Sequence, residues 1–416
     1  MKKDNYFYIM IIAMSSIIGG AINYMYHPIM LKFMSIEDFG IFGSLVGIFN
    51  ILAVFTTGIS LFLNKEFSKN IKFKKKQKGL FFDSLKILSF LGIVSFVFFT
   101  LSAPLIANYL GISSVFLVGI LGFSLIFIFP WMGIMALLKA IKYFEVISWS
   151  QILGPFIKLI GGVGLVFLGY NLYGAVYGFL LGLIIVFFFL LYFAIKYFKN
   201  IEYVSDMNRL LQDFSKNKKE ILHFFFVSLF FAILMNADVI IVRNIFSAEE
   251  AGIYSGIAVL GKFLIFLLLS IETVYFGQIM EFSKEKVPNH LIRNPLILML
   301  GSSIGALVIN YFLGSFILGL LKSELAEYVN IYLLILVYYG FLAFISFFIK
   351  ILIGWKKYAI NYFLFVFIGI LFSILYTFGK ISLFDFALSF AVFGGMSSIL
   401  FGIYFYFIYN KKPLKV

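Results

Sequence analysis

Long apolar runs recur along this chain at the length that crosses a bilayer, and no other feature constrains its fold as strongly. A helix rises about 1.5 Å per residue, so about 20 apolar residues span a hydrocarbon core roughly 30 Å thick. Twelve runs can be drawn. The first six are residues 7–30, 40–63, 80–103, 114–138, 149–169 and 172–195. The second six are 221–244, 255–280, 295–320, 326–353, 359–379 and 384–409. Short loops join them. Apolar residues make up 62% of the chain and charged residues 12%, against about 45–50% and about 25% in soluble domains. With a mean hydropathy of +1.05, a water-soluble fold is excluded. Inside lipid every backbone polar group needs an internal partner, so runs of this kind are read as helices. The expectation is an all-α polytopic membrane protein with about 12 transmembrane helices.

The basic residues orient the spans. With both termini in the cytoplasm, the inner segments hold 26 of the 33 Lys and Arg. They include Lys2 and Lys3, seven lysines from Lys65 to Lys78, and six basic residues from Lys196 to Lys219. Only Lys32, Arg243, Lys322 and Lys380 fall in outer loops. Positive charge accumulates on the inner side, so the net charge of +14 is mostly topogenic and calls for no nucleic acid. That face should attract anionic membrane lipids. The run after Lys3 is too long for a signal-peptide core and lacks a small-residue cleavage site, so it reads as a retained first span. No cysteine is present, which removes disulfides, thiol nucleophiles and Cys-ligated metals.

A short motif occurs twice. Residues 35–42 read Ser-Ile-Glu-Asp-Phe-Gly-Ile-Phe, and residues 247–254 read Ser-Ala-Glu-Glu-Ala-Gly-Ile-Tyr. Each copy follows the first span of a six-span half. Two such halves make a parallel repeat related by an axis along the membrane normal. The expected organisation is an N-terminal six-helix lobe at 1–200, a cytoplasmic linker at 201–219 and a C-terminal six-helix lobe at 220–416, the two lobes enclosing a central cavity. In the motif, Ser35 and Ser247 can cap a helix whose first turn then carries the acids. The alternative is a role for Glu37, Asp38, Glu249 or Glu250 in gating. Gly174, Gly178 and Gly182 form one stripe, and Gly301 and Gly305 another, with spacing that lets helices approach closely. Pro104, Pro130, Pro155 and Pro295 can kink or end their helices.

Charges within the spans form the functional shortlist, because each costs about 2.5–3.5 kcal/mol even on the lenient insertion scale. They are Lys86, Lys158, Asp238, Lys262 and Glu272. Lys158 lies mid-span without a nearby acid in sequence. It is a candidate for binding a phosphate-bearing substrate, against snorkelling to an interface. Asp238 and Lys262 fall at similar depth on consecutive spans and are expected to pair, as a static bridge or as one that breaks in transport. Glu272 is a candidate proton or sodium site, against a neutral structural acid. Asp83 and Lys86 are spaced for a local pair. His27 is a candidate pH switch, against a hydrogen-bonded interfacial residue. Asn23 and Asn236 add polar handles. The lysines at 65–78 read first as topogenic and second as collectors of a pyrophosphate headgroup. No His-Glu-x-x-His or Walker loop is present, and no large outer loop of the kind membrane glycosyltransferases carry, so the chain reads as a non-enzyme.

At its twin motifs the chain resembles the polysaccharide transporters, the O-antigen and capsule repeat-unit flippases. These belong to a superfamily with multidrug and toxin extrusion proteins and the lipid II flippase. Asn236-Ala-Asp238 before Val-Ile-Ile-Val resembles the family's seventh span, and Leu-Ile-Gly-Gly-Val-Gly-Leu-Val at 159–166 its fifth. Twelve spans rather than fourteen argue against the lipid II branch. The loop from Asn64 to Gly79 lacks the signature of the major facilitator transporters. The resemblance implies alternating-access export of an undecaprenyl-pyrophosphate oligosaccharide through the inner membrane, as in lipopolysaccharide and capsule synthesis. Lys158, Lys262 and Lys86 would bind substrate, and Asp238 and Glu272 would serve ion coupling or gating. It implies no cofactor beyond a coupling H+ or Na+, and a polysaccharide polymerase as a partner. The rival is a cation-coupled multidrug exporter of the same fold.

Overall fold

The computed structural model describes residues 2–282, 287–355, 360–377 and 381–410. Unit 1, residues 1–232, begins with α1 (Lys2–Phe33), α2 (Ile36–Ala53), α3 (Thr57–Lys69) and α4 (Lys74–Tyr109). Then come α5 (Val115–Phe123), α6 (Leu125–Ala140), α7 (Phe144–Leu165) and α8 (Asn171–Tyr197). α9 (Met207–Ile245) runs from unit 1 into unit 2, residues 233–416. Unit 2 continues with α10 (Ala248–Met280), α11 (Asn289–Leu321), α12 (Val329–Gly354), α13 (Ile360–Thr377) and α14 (Leu383–Asn410). The division between the two compact units falls inside α9, and residues 201–219 belong to unit 1. Of that segment, only 201–206 is non-helical.

Nine helical stretches among the described residues are long and apolar enough to cross a membrane, so the chain is a multi-pass membrane protein. One of the nine, Phe144–Tyr197, is 54 residues long. It is two helices. Gly169 has φ +90° and Asn171 φ +41°, a reversal that glycine makes without a side-chain clash. Beyond the turn, α8 folds back on α7. A Cβ on Gly178 would lie 2.2 Å from the Gly162 Cα, and one on Gly182 would lie 2.6 Å from the Gly154 carbonyl oxygen. The glycine stripe of α8 thus performs the close packing its spacing predicts. The Gly301–Gly305 pair makes no such contact among the described residues, where a Cβ at either meets nothing within 4 Å. The four prolines lie inside α4, α6, α7 and α11 and end none of them.

Both motif copies cap helices. Ser35 accepts from the Asp38 amide at 3.1 Å. Ser247 accepts from the Glu250 amide while the Glu250 carboxylate accepts from the Ser247 amide at 3.1 Å, a reciprocal capping box. In unit 1, α7 packs between α1 and α8. In unit 2, α12 packs against α10, α11 and α14. α12 is apolar around its whole circumference and is correspondingly buried.

The basic turns of unit 1 share one end. The Tyr143 and Tyr197 rings lie 5.7 Å apart, and Tyr197 donates to Gln77 at 3.2 Å. These bonds join the turns that carry Lys142, Lys196 and the lysines of 65–78. Of the other basic residues used in the orientation, Lys284, Lys286, Lys356, Lys357, Lys380, Lys411, Lys412 and Lys415 lie outside the described residues.

Candidate functional site

Each unit buries a polar cluster against the helix that precedes its motif. In unit 1 the cluster centres on Lys158 of α7, which is 6% exposed. Its Nζ donates to Asn23 Oδ1 of α1 at 3.0 Å. It stands 4.3 Å from the Tyr26 ring centroid and 4.7 Å from that of Phe179. Two aromatic faces and one amide oxygen thus solvate the ammonium. Among the described residues no carboxylate pairs with it. Asn23 is itself exposed, so the buried amine lies one side chain from open space.

Tyr26 is fully buried and donates to the Ala175 carbonyl of α8 at 2.5 Å. Gly162 makes room for it, since a Cβ there would lie 2.5 Å from the Tyr26 hydroxyl oxygen. The Leu-Ile-Gly-Gly run at 159–162 therefore shapes the Lys158 cage. His27 stands beside the cage, its ring 5.7 Å from Phe42.

In unit 2 the cluster centres on Asp238 of α9, fully buried. Tyr339 of α12 donates to its Oδ2 at 2.9 Å. Neighbouring Tyr338 donates to the Leu234 carbonyl at 2.6 Å. Tyr254, Tyr338 and Lys262 all stand close enough to Asp238 to interact electrostatically. The expected Asp238–Lys262 ion pair is not formed as a direct contact. Lys262 donates instead to Asn236 Oδ1 at 3.4 Å. The physical reason is competition: α12 supplies a tyrosine hydroxyl to the carboxylate, and Asn236, two residues earlier on α9, takes the amine.

Glu272 belongs to a separate pair. It is fully buried and bridged by Lys350 of α12, whose side chain is 42% exposed. Lys86 is exposed and donates to Tyr203 at 2.9 Å. Tyr203 in turn donates to Asp83 at 2.6 Å, so the expected Asp83–Lys86 pair is bridged by a phenol rather than direct.

Sequence reasoning overlooked Tyr26, Phe179, Tyr338, Tyr339 and Lys350. One signal was available. The motif repeats at an offset of 212, and that offset also aligns Tyr26 with Asp238 and Phe42 with Tyr254. Phe42 packs on Tyr26 with ring centroids 5.9 Å apart, and Tyr254 lies beside Asp238. The aromatic that ends the motif thus touches the cluster in both units. Tyr338 and Tyr339 carry no such signal among 25 tyrosines.

Among the described residues the fold is helical and multi-pass, and each unit buries a polar cluster. The chain belongs to the family described as polysaccharide biosynthesis protein, whose model matches residues 7–283. No curated protein matches it in sequence. Among solved structures, the lipid II flippase MurJ in an inward closed conformation superposes with a TM-score of 0.74 at 17% identity, covering 98% of this chain and 88% of that one. An inward-facing multidrug resistance MATE transporter of the MOP superfamily gives 0.73 at 13% identity, covering 95% and 98%. A MOP superfamily transporter from Pyrococcus furiosus, described as having a binding pocket of reverse polarity, gives 0.59 at 12%, covering 97% and 95%. At these identities the likeness is one of fold.

Proposed function

We propose that this protein flips a lipid-linked oligosaccharide, carried on undecaprenyl pyrophosphate, from the inner to the outer leaflet by alternating access. The family supports a role in polysaccharide synthesis, and the fold is one that a lipid flippase and multidrug transporters share. The observation that carries the substrate class is the Lys158 cage. Among the described residues no carboxylate competes for the Lys158 amine, and when that amine is protonated an incoming phosphate can accept charge-assisted hydrogen bonds from it. Lys262 supplies a second cation in unit 2. Asp238 and Glu272 are the groups for coupling to an H+ or Na+ gradient. Both termini are placed in the cytoplasm and the protein in the inner membrane, with O-antigen or capsule synthesis as the setting and a polysaccharide polymerase downstream. The clustering of basic turns at one end of unit 1 supports that orientation.

Deleting the gene and measuring surface glycan tests this reading. Loss of glycan with accumulation of the lipid-linked unit is expected. Normal glycan with altered dye efflux would replace it by the multidrug reading.

A further inference from the structure

The seven lysines of 65–78 read from sequence as topogenic charge, yet most are engaged. Lys65 pairs with Glu220 at 3.6 Å and Lys69 with Glu66 at 2.5 Å. Lys74 lies over the Tyr197 ring and Lys76 over that of Phe73. Two others hold the segment that joins α8 to α9. Lys75 pairs with Glu202, and Lys78 donates to the carbonyls of Phe198 and Ile201. The Lys75 ammonium beside Glu202 holds that carboxyl below its ordinary range.

The same face of α4 continues the grip. A Cβ on Gly79 would lie 2.0 Å from the Val204 carbonyl oxygen, so only glycine admits the segment there. One turn on, Asp83 is fully buried. Its Oδ1 accepts from Tyr203 at 2.6 Å and from Ser205 at 3.0 Å. Its Oδ2 accepts from Ser205 at 3.0 Å and from the Asp206 amide at 2.8 Å. Lys86 closes the far side on Tyr203. Positions 75, 79, 83 and 86 form a single helical stripe. It grips six residues that have no hydrogen-bonded secondary structure of their own. A buried carboxylate spending its acceptors on one short segment is a specific fastening, since leaving it unpaired is costly.

We propose that Asp83 is a positioning residue for the transport cycle. It clasps residues 201–206 to the first turns of α4, so the chain enters α9 as a fixed part of unit 1. Rearrangement between transport states is then carried by α9 and the helices beyond it, and the clasp stays closed throughout. The positioning role rests on the transport reading above. The existence of the clasp does not.

Two measurements test it on the full-length protein in membranes. Trypsin cleavage at the exposed Lys199 and Arg209 reports clasp opening. In Asp83→Ala it should rise about tenfold to a hundredfold, the population change that goes with losing hydrogen bonds to a charged group. Surface glycan should fall several-fold. The double variant Asp83→Cys with Ser205→Cys supplies the control, because the chain has no other cysteine. Oxidised, it should resist trypsin and export as the parent does. Reduced, it should be cut quickly and export poorly.

Parent-like cleavage and export in Asp83→Ala would overturn the proposal. Fast cleavage with unchanged export would overturn the positioning role. An oxidised double variant that stops exporting while its reduced form exports would show that the clasp must open. A parent protein that moves no glycan would sink the flippase reading instead, and the same variants would then be read by dye efflux.

Discussion

Lys158 in unit 1 and Asp238 in unit 2 are both buried charges on helices that carry or face the start of a repeated half, and the two units hold them differently. Unit 1 surrounds a cation with aromatic faces and one amide. Unit 2 gives an anion a tyrosine hydroxyl and sets a lysine nearby. Each unit also has a buried tyrosine bonded to a helix carbonyl, Tyr26 to Ala175 and Tyr338 to Leu234. The two fastenings run in opposite senses: Tyr26 lies on the helix before its motif and donates away from it, whereas Tyr338 donates to the helix before the second motif. The difference teaches which side is poised for an external partner. Among the described residues the Lys158 amine has no counter-charge, whereas the Asp238 carboxylate has a lysine near it.

The comparison predicts unequal consequences. Lys158→Ala should reduce surface glycan by about tenfold or more, the scale of losing a charge-assisted contact. Lys158→Arg should recover part of it. Normal export by Lys158→Ala would remove the distinction between the two clusters.

Gly162→Ala should destabilise the protein by about 1–3 kcal/mol by overpacking. Its methyl would meet the Tyr26 hydroxyl, which is fixed on Ala175. Gly161→Ala should cost less, because a Cβ there would meet the Leu181 Cδ1 at 3.4 Å, an ordinary van der Waals contact. Thermal unfolding in detergent would show whether the order holds.

Asp238→Asn should keep an acceptor for Tyr339 and lower export only a few-fold, through altered coupling. A loss as large as that of Lys158→Ala would mean that both charges face the substrate. The smallest effects belong to the caps. Ser247→Ala removes a reciprocal box and should cost about 1 kcal/mol, and Ser35→Ala, which removes a single bond, somewhat less. Equal shifts in unfolding temperature would make the two motif copies equivalent.

Local chemistry made much of this legible in advance. Ser35 and Ser247 are read as caps because a cap and its amide are three residues apart. The glycines of α8 are read as a contact face because they recur every fourth residue. At Gly301 and Gly305 the spacing is present, yet among the described residues nothing lies within 4 Å of a Cβ. Spacing shows that a face is smooth and says nothing of what covers it. The Asp238–Lys262 pairing failed for a related reason. Matching depth on two helices leaves their rotation open, and a tyrosine from a third helix took the carboxylate.

What the sequence by itself determined is the solvent this protein folds in, the capped helix starts of its two halves, and which residues bear an expensive charge. These follow from composition, from contacts within a turn and from the cost of ions in hydrocarbon. The tertiary structure alone decided how each charge is met: Asn23 reaching Lys158 across 135 residues, Tyr339 reaching Asp238 across 101, and residues 203–206 closing on Asp83 across about 120. Such partners are chosen by helix rotation and packing, which no local pattern encodes.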